Sequence, residues 1–115
     1  MTTETRRAVA YIAARFAAGV DSRAVYDHTT TLSTPIDGTV TDEVSVYDHE
    51  AGCFMTGHLP SLYHYGTNKY LSLRFQDSTF YGFDCATRSH FRGVVDGRNV
   101  SLYDYGEYEY FDYSV

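Results

Sequence analysis

Apolar residues along this chain follow two different periods. From about Thr3 to Ala18 they recur at helical spacing, with Val9, Ile12, Phe16 and Val20 on one stripe. Thr2 or Thr3 can cap this helix, Glu4 sits in the favourable first turn, and Gly19 is a natural stop. Ala10, Ala14, Ala17 and Ala18 leave much of the remaining surface small. Such a helix can come close to a sheet and cover its open side, or pack on a copy of itself. The helical segment is therefore placed at residues 1–20. From residue 24 to 115 the texture changes to alternation interrupted by short polar turns, the pattern of antiparallel strands.

The alternating region repeats itself. Val44–Leu59, Pro60–Phe75, Phe80–Val95 and Val100–Val115 align without gaps. Their aromatic anchors are Tyr47, Tyr63, Phe83 and Tyr103, followed seven positions later by Phe54, Tyr70, His90 and Tyr110. A degenerate fifth copy from Ala24 repeats the Val-Tyr-Asp-His of Val46–His49, but Pro35 is expected to spoil its second strand. Each copy reads as strand, tight turn, strand. In the second strands, Met55, Leu71, Leu73, Phe91, Phe111 and Tyr113 belong to the apolar, core-facing column. The anchor rings fall on the opposite face from Val46, Leu62 and Leu102. The expected fold is mainly β: an N-terminal helix, then an antiparallel meander of at least four hairpins in residues 24–115, within a single domain. Many short strands in succession suggest a closed barrel or a radial arrangement. The apolar last strand must be paired, by closure or by a second subunit.

The units Tyr47-Asp48-His49, Tyr63-His64-Tyr65, Phe83-Asp84-Cys85 and Tyr103-Asp104-Tyr105 carry a resemblance. The chain resembles small bacterial and phage tyrosine-rich β-hairpin-repeat proteins, some described as a fourfold β-flower. The resemblance covers residues from about 44 to 115 and implies a fold. It carries over no function.

Charge narrows the possible partners. Nine basic against fifteen acidic residues give a net charge of -6, which weighs against binding a nucleic-acid backbone. Two cysteines without CxxC spacing suggest a reducing compartment, and the helix lacks the apolar run of a signal peptide or membrane span. A cytoplasmic protein is expected. Asp48, Asp84 and Asp104 sit where a strand enters its turn, so they read as turn caps, with His64 in the equivalent place. Fourfold closure could instead gather those carboxylates into a cation site, which His64 would interrupt. The histidines show no metal spacing, and no cofactor or metal is expected. A Ser-His-Asp grouping would require folding to bring Ser45, Ser61 or Ser101 to such partners, and these serines recur like ordinary strand residues.

The twelve tyrosines remain. They form either a core and cross-strand ladder or a contact surface, since a ring offers a stacking face and an orienting hydroxyl. As a surface, the candidate ligand- or partner-binding residues are Tyr47, Tyr63, Tyr65, Tyr103, Tyr105, Tyr108 and Tyr110. The expected function is non-catalytic binding of a small polar ligand, a nucleotide or sugar, or of a protein partner. A symmetric homo-oligomeric assembly module is the alternative, and a small hydrolase the second alternative.

Overall fold

The computed structural model describes residues 1–115. The helix α1 spans Thr3–Ala18. Ten strands follow: β1 (Ala24–Asp27), β2 (Leu32–Val40), β3 (Glu43–Asp48), β4 (Cys53–His58), β5 (Ser61–His64), β6 (Lys69–Gln76), β7 (Thr79–Asp84), β8 (Ser89–Asp96), β9 (Asn99–Asp104) and β10 (Glu109–Ser114). All neighbours are antiparallel, and the sheet closes into a barrel. Closure comes from β1 on β10, where Tyr26 faces Ser114 and Asp27 faces Tyr113. The apolar C-terminal strand thus finds its partner within the chain. No helix is long and apolar enough to cross a membrane.

The wall holds five hairpins, one more than the fourfold arrangement implied by the resemblance. The copy from Ala24 is complete, because β2 runs straight through Pro35. The proline carbonyl accepts a hydrogen bond from the His49 amide at 3.0 Å, just past the end of β3. There β3 is leaving the ladder for its turn, so the donor that proline lacks goes unmissed.

The hairpin turns share one geometry. Their last residues, Thr31, Gly52, Asn68, Arg88 and Tyr108, all have φ between 55° and 69°. The shorter links at the other end place Asp77 and Gly97 in the same left-handed region. One strand glycine marks where the wall folds tightly on itself: a methyl at Gly82 would overlap the Ser72 carbonyl oxygen and lie 2.7 Å from the Phe91 ring.

The helix is not a cover on an open sheet face, as the sequence led us to expect. Every residue from Thr5 to Ala14 is buried. A helix lying on a sheet would keep one side in water. Here α1 packs against β1, β2, β3, β8 and β9 of a closed barrel, so it runs inside it. Ten strands enclose a bore wider than wall side chains alone can fill. Ala8, Ala10, Ala13 and Ala14 let the helix backbone fit, while Val9, Tyr11 and Ile12 reach into the lining. That lining includes Ile36, Met55, Leu62, Leu73, Phe80 and Leu102, all essentially inaccessible to solvent. Each such large side chain contributes about 1.5–3 kcal/mol through burial.

Candidate functional site

Two groups of side chains could carry function, one inside the turn end of the barrel and one on its outer wall. Inside, the fivefold repeat places Asp27, Asp48, His64, Asp84 and Asp104 at equivalent strand ends, all buried. One carboxylate oxygen of each aspartate caps its turn. Asp48 Oδ1 accepts from the Glu50 and Ala51 amides at 3.0 and 2.9 Å. Asp27, Asp84 and Asp104 accept from Thr29, Ala86 and Gly106 at 2.8, 3.0 and 2.9 Å.

The second oxygens of Asp48, Asp84 and Asp104 are already engaged within the protein. Arg7 Nε donates to Asp48 Oδ2 at 2.8 Å, and Arg6 Nη1 to Asp104 Oδ2 at 3.1 Å. The Met1 amino group also meets Asp104 Oδ2 at 3.0 Å. Thr87 supplies the hydroxyl for Asp84 Oδ2 at 3.0 Å. The positive charge in this ring therefore comes from Arg6 and Arg7 of the helix and from the Met1 amino group just before it. Burial would raise the Asp104 pKa, but the Met1 ammonium, the Gly106 amide and Arg6 together hold it below the ordinary value. Burial likewise disfavours the Arg7 charge, and the bond to Asp48 reverses this and holds its pKa up.

His64, the exception in the ring, has its Nδ1 3.5 Å from Thr5 Oγ1 and its Nε2 3.7 Å from Cys53 Sγ. Burial pushes the imidazole pKa down and the Cys53 thiol pKa up. Both changes favour the neutral imidazole and the neutral thiol. Cys85 is exposed and free. No three His, Cys, Asp or Glu side chains converge as metal ligands would. The serines Ser45, Ser61 and Ser101 alternate onto the outer face, whereas the aspartates point inward. These residues therefore do not assemble into a Ser-His-Asp grouping.

On the outer wall each hairpin carries its own aromatic cluster. Tyr47 packs edge-on against His49 and Phe54, with centroids 4.9 and 4.7 Å apart. Tyr63 does the same with Tyr65 and Tyr70, and Tyr103 with Tyr105 and Tyr110. Phe83 meets His90 at 4.7 Å, and Tyr26 meets His28 at 4.8 Å. In each case the anchor ring is half-buried, and in the tyrosine clusters its flanking rings are open. Such edge-to-face pairs are worth about 0.5–1.5 kcal/mol beyond their area. The anchors thus make the cross-strand aromatic packing within each hairpin, on the outer wall and not in the core, and the flanking rings stay exposed.

The seven tyrosines do not come together as one site. Tyr47 belongs to the second hairpin. Tyr63 and Tyr65 line a shallow groove of about 530 Å³ with Tyr70, Thr56, Gly57 and Ser61. Tyr103, Tyr105 and Tyr110 gather around Arg92. Tyr108 projects from the tip of the last turn, 81% exposed. Arg92 Nε donates to the Tyr105 hydroxyl at 2.9 Å, its Nη2 lies 3.4 Å from the Tyr110 hydroxyl, and the guanidinium lies 5.7 Å from the Tyr103 ring centroid. The bond to Tyr105 raises the Arg92 pKa. A second groove, about 430 Å³, runs between Tyr81, Gly82, His90, Phe91, Arg92 and Tyr105.

Arg92, Tyr81 and Tyr70 were not among the expected site residues. Tyr81 did leave a signal, since it stands two places before its anchor, where other copies carry Ser45, Ser61 and Ser101. No family model, no curated protein and no solved structure matched this chain.

Proposed function

We propose that this protein is a non-catalytic binding protein that holds a small polar ligand, a nucleotide or a sugar, against the tyrosine-rich outer wall. One observation carries the reading. The usual ligand position of a small barrel, its interior, is filled by α1. Recognition is left to the outside, and there Tyr65, Tyr70, Tyr105 and Tyr110 keep ring surface open on the sheet, with the Tyr105 and Tyr110 hydroxyls oriented by Arg92. Rings stack on sugars and bases while hydroxyls orient them, and a rigid wall limits the ordering cost. The clusters flank two grooves, at Tyr63–Tyr65–Tyr70 and at Tyr81–Arg92–Tyr105.

The test is a thermal-shift and titration panel of nucleotides and neutral sugars. A binder should raise the melting temperature of the native chain. The shift should shrink in Tyr65→Ala/Tyr70→Ala or in Tyr81→Ala/Tyr105→Ala, depending on the groove used. No shift with any compound would overturn the small-ligand reading.

The same exposed rings, with Phe54 and Leu32, favour a second reading as a contact surface in a symmetric homo-oligomer. Native mass spectrometry separates the two. A monomer at micromolar concentration would sink the assembly reading.

A further inference from the structure

The register of the wall sets an unusual row of side chains on its outer face. Arg74 faces Tyr81, Tyr81 faces Arg92, Arg92 faces Tyr103, and Tyr103 faces Tyr110. Cations and rings therefore alternate across four consecutive strands, β6 to β9, and a further ring on β10 ends the row. The adjoining row toward the turns runs Ser72, Phe83, His90, and the second groove lies between the two rows. Neither arginine has a carboxylate within ion-pair distance, although acids outnumber bases in the chain. Arg92 is held by two tyrosine hydroxyls rather than by a counter-ion. Its guanidinium is fixed in place but not neutralised.

We propose that this row binds a nucleoside phosphate. The proposal rests on the outer-wall binding reading above and names the class of ligand. Arg92 and Arg74 offer forked donors to phosphoryl oxygens, the geometry in which arginine outperforms lysine. They lie two strands apart, about 10 Å at the backbone, a gap that the exposed Arg74 side chain closes toward the fixed Arg92 around a diphosphate. Tyr81 stands between them with half of its surface open and gives a flat face to a base. The Tyr105 hydroxyl, already bonded to Arg92, borders the same groove and reaches toward ribose hydroxyls. A neutral sugar would use the rings and accept hydrogen bonds from the guanidinium groups, but would gain none of the charge attraction that a phosphate does. A polynucleotide is disfavoured by the surrounding negative charge, which a single small phosphate ester avoids.

Calorimetric titration of the full chain with ADP, adenosine, inorganic phosphate and a neutral disaccharide tests this. ADP should bind, with adenosine and phosphate each about tenfold weaker or worse. Arg92→Gln, Arg74→Gln and Tyr81→Ala should each weaken ADP binding several-fold. All three positions are on the surface, so the melting temperature of each variant should stay near that of the native chain and show that it folds. Adenosine binding as tightly as ADP, phosphate binding as tightly as ADP, or ADP binding unchanged in all three variants would each overturn the proposal. If the disaccharide binds and ADP does not, the ligand class is wrong and the outer-wall reading stands. If nothing binds, both fall.

Discussion

At the scale of single residues, the repeated aspartate has more than the capping role its sequence position suggests. Asp48 caps a turn and also neutralises a buried arginine, whereas Asp84 caps a turn and bonds a threonine hydroxyl. The two should therefore respond differently to the same substitution. Asp84→Ala should cost about 1–2 kcal/mol, from the loss of the turn amide and threonine hydroxyl bonds to its carboxylate. Asp48→Ala leaves the buried Arg7 with Glu50, at 3.9 Å, as its one remaining ion pair, and should cost about 3 kcal/mol or more. Urea unfolding of the two variants measures the gap, and equal losses would mean that the Arg7 pair contributes nothing. The cap was legible because it depends on local sequence. The arginine partner was not, since it comes from a helix 41 residues earlier in the chain.

His64 gives the residue scale a pH signature. Its folded pKa is lowered from 6.5 by burial, so the unfolded chain binds the proton more readily. Its contribution is complete above the unfolded value and is lost as pH falls through 6.5 toward the folded value. The urea midpoint should drop from about pH 7 to about pH 5, and His64→Gln should flatten that decline. A decline that is unchanged in the variant would assign the pH dependence to other groups.

At the scale of elements, the hairpins were readable and the position of the helix was not. Sixteen-residue copies without gaps fix strand phase, because a one-residue slip would exchange the two faces of every strand. The aromatic anchors and the core column therefore fell on the faces the structure shows. Pro35 misled because proline is judged against a continuous ladder, and here the ladder ends beside it. The helix misled because an apolar stripe predicts one buried face, and only knowledge of closure turns one face into all of them. What did point to the interior was the run of alanines. It implies close backbone approach on several sides, not one. Ala10→Leu should therefore overpack the bore and cost about 1–3 kcal/mol or more. Ala18→Leu, at the exposed end of α1, should be nearly neutral. Thermal melts compare them, and a tolerated Ala10→Leu would mean the bore has room that the burial pattern denies.

At the scale of the whole molecule, the barrel must close around its own N-terminal segment, and the closing seam is its shortest pairing. Along β6 to β9 each neighbouring pair exchanges a full six-residue register. Between β1 and β10 the register covers Tyr26 with Ser114 and Asp27 with Tyr113, extended by the His28 amide on the Asp112 carbonyl. Arg98 reinforces the seam from outside, donating to the Asp21 and Val115 carbonyls at 3.4 and 3.1 Å. A ladder this short holds few cooperative bonds, so local opening should begin there and not at the long β6–β8 ladders. Opening the seam would also uncover α1, which packs against β1. Native-state hydrogen exchange should show the amides of β1 and β10 exchanging ahead of those of β7 and β8. The buried amides of α1 should exchange with the seam if its opening lets water reach the bore. If α1 amides instead exchange only with β7 and β8, the helix is released by global unfolding alone, and the seam opens without freeing it.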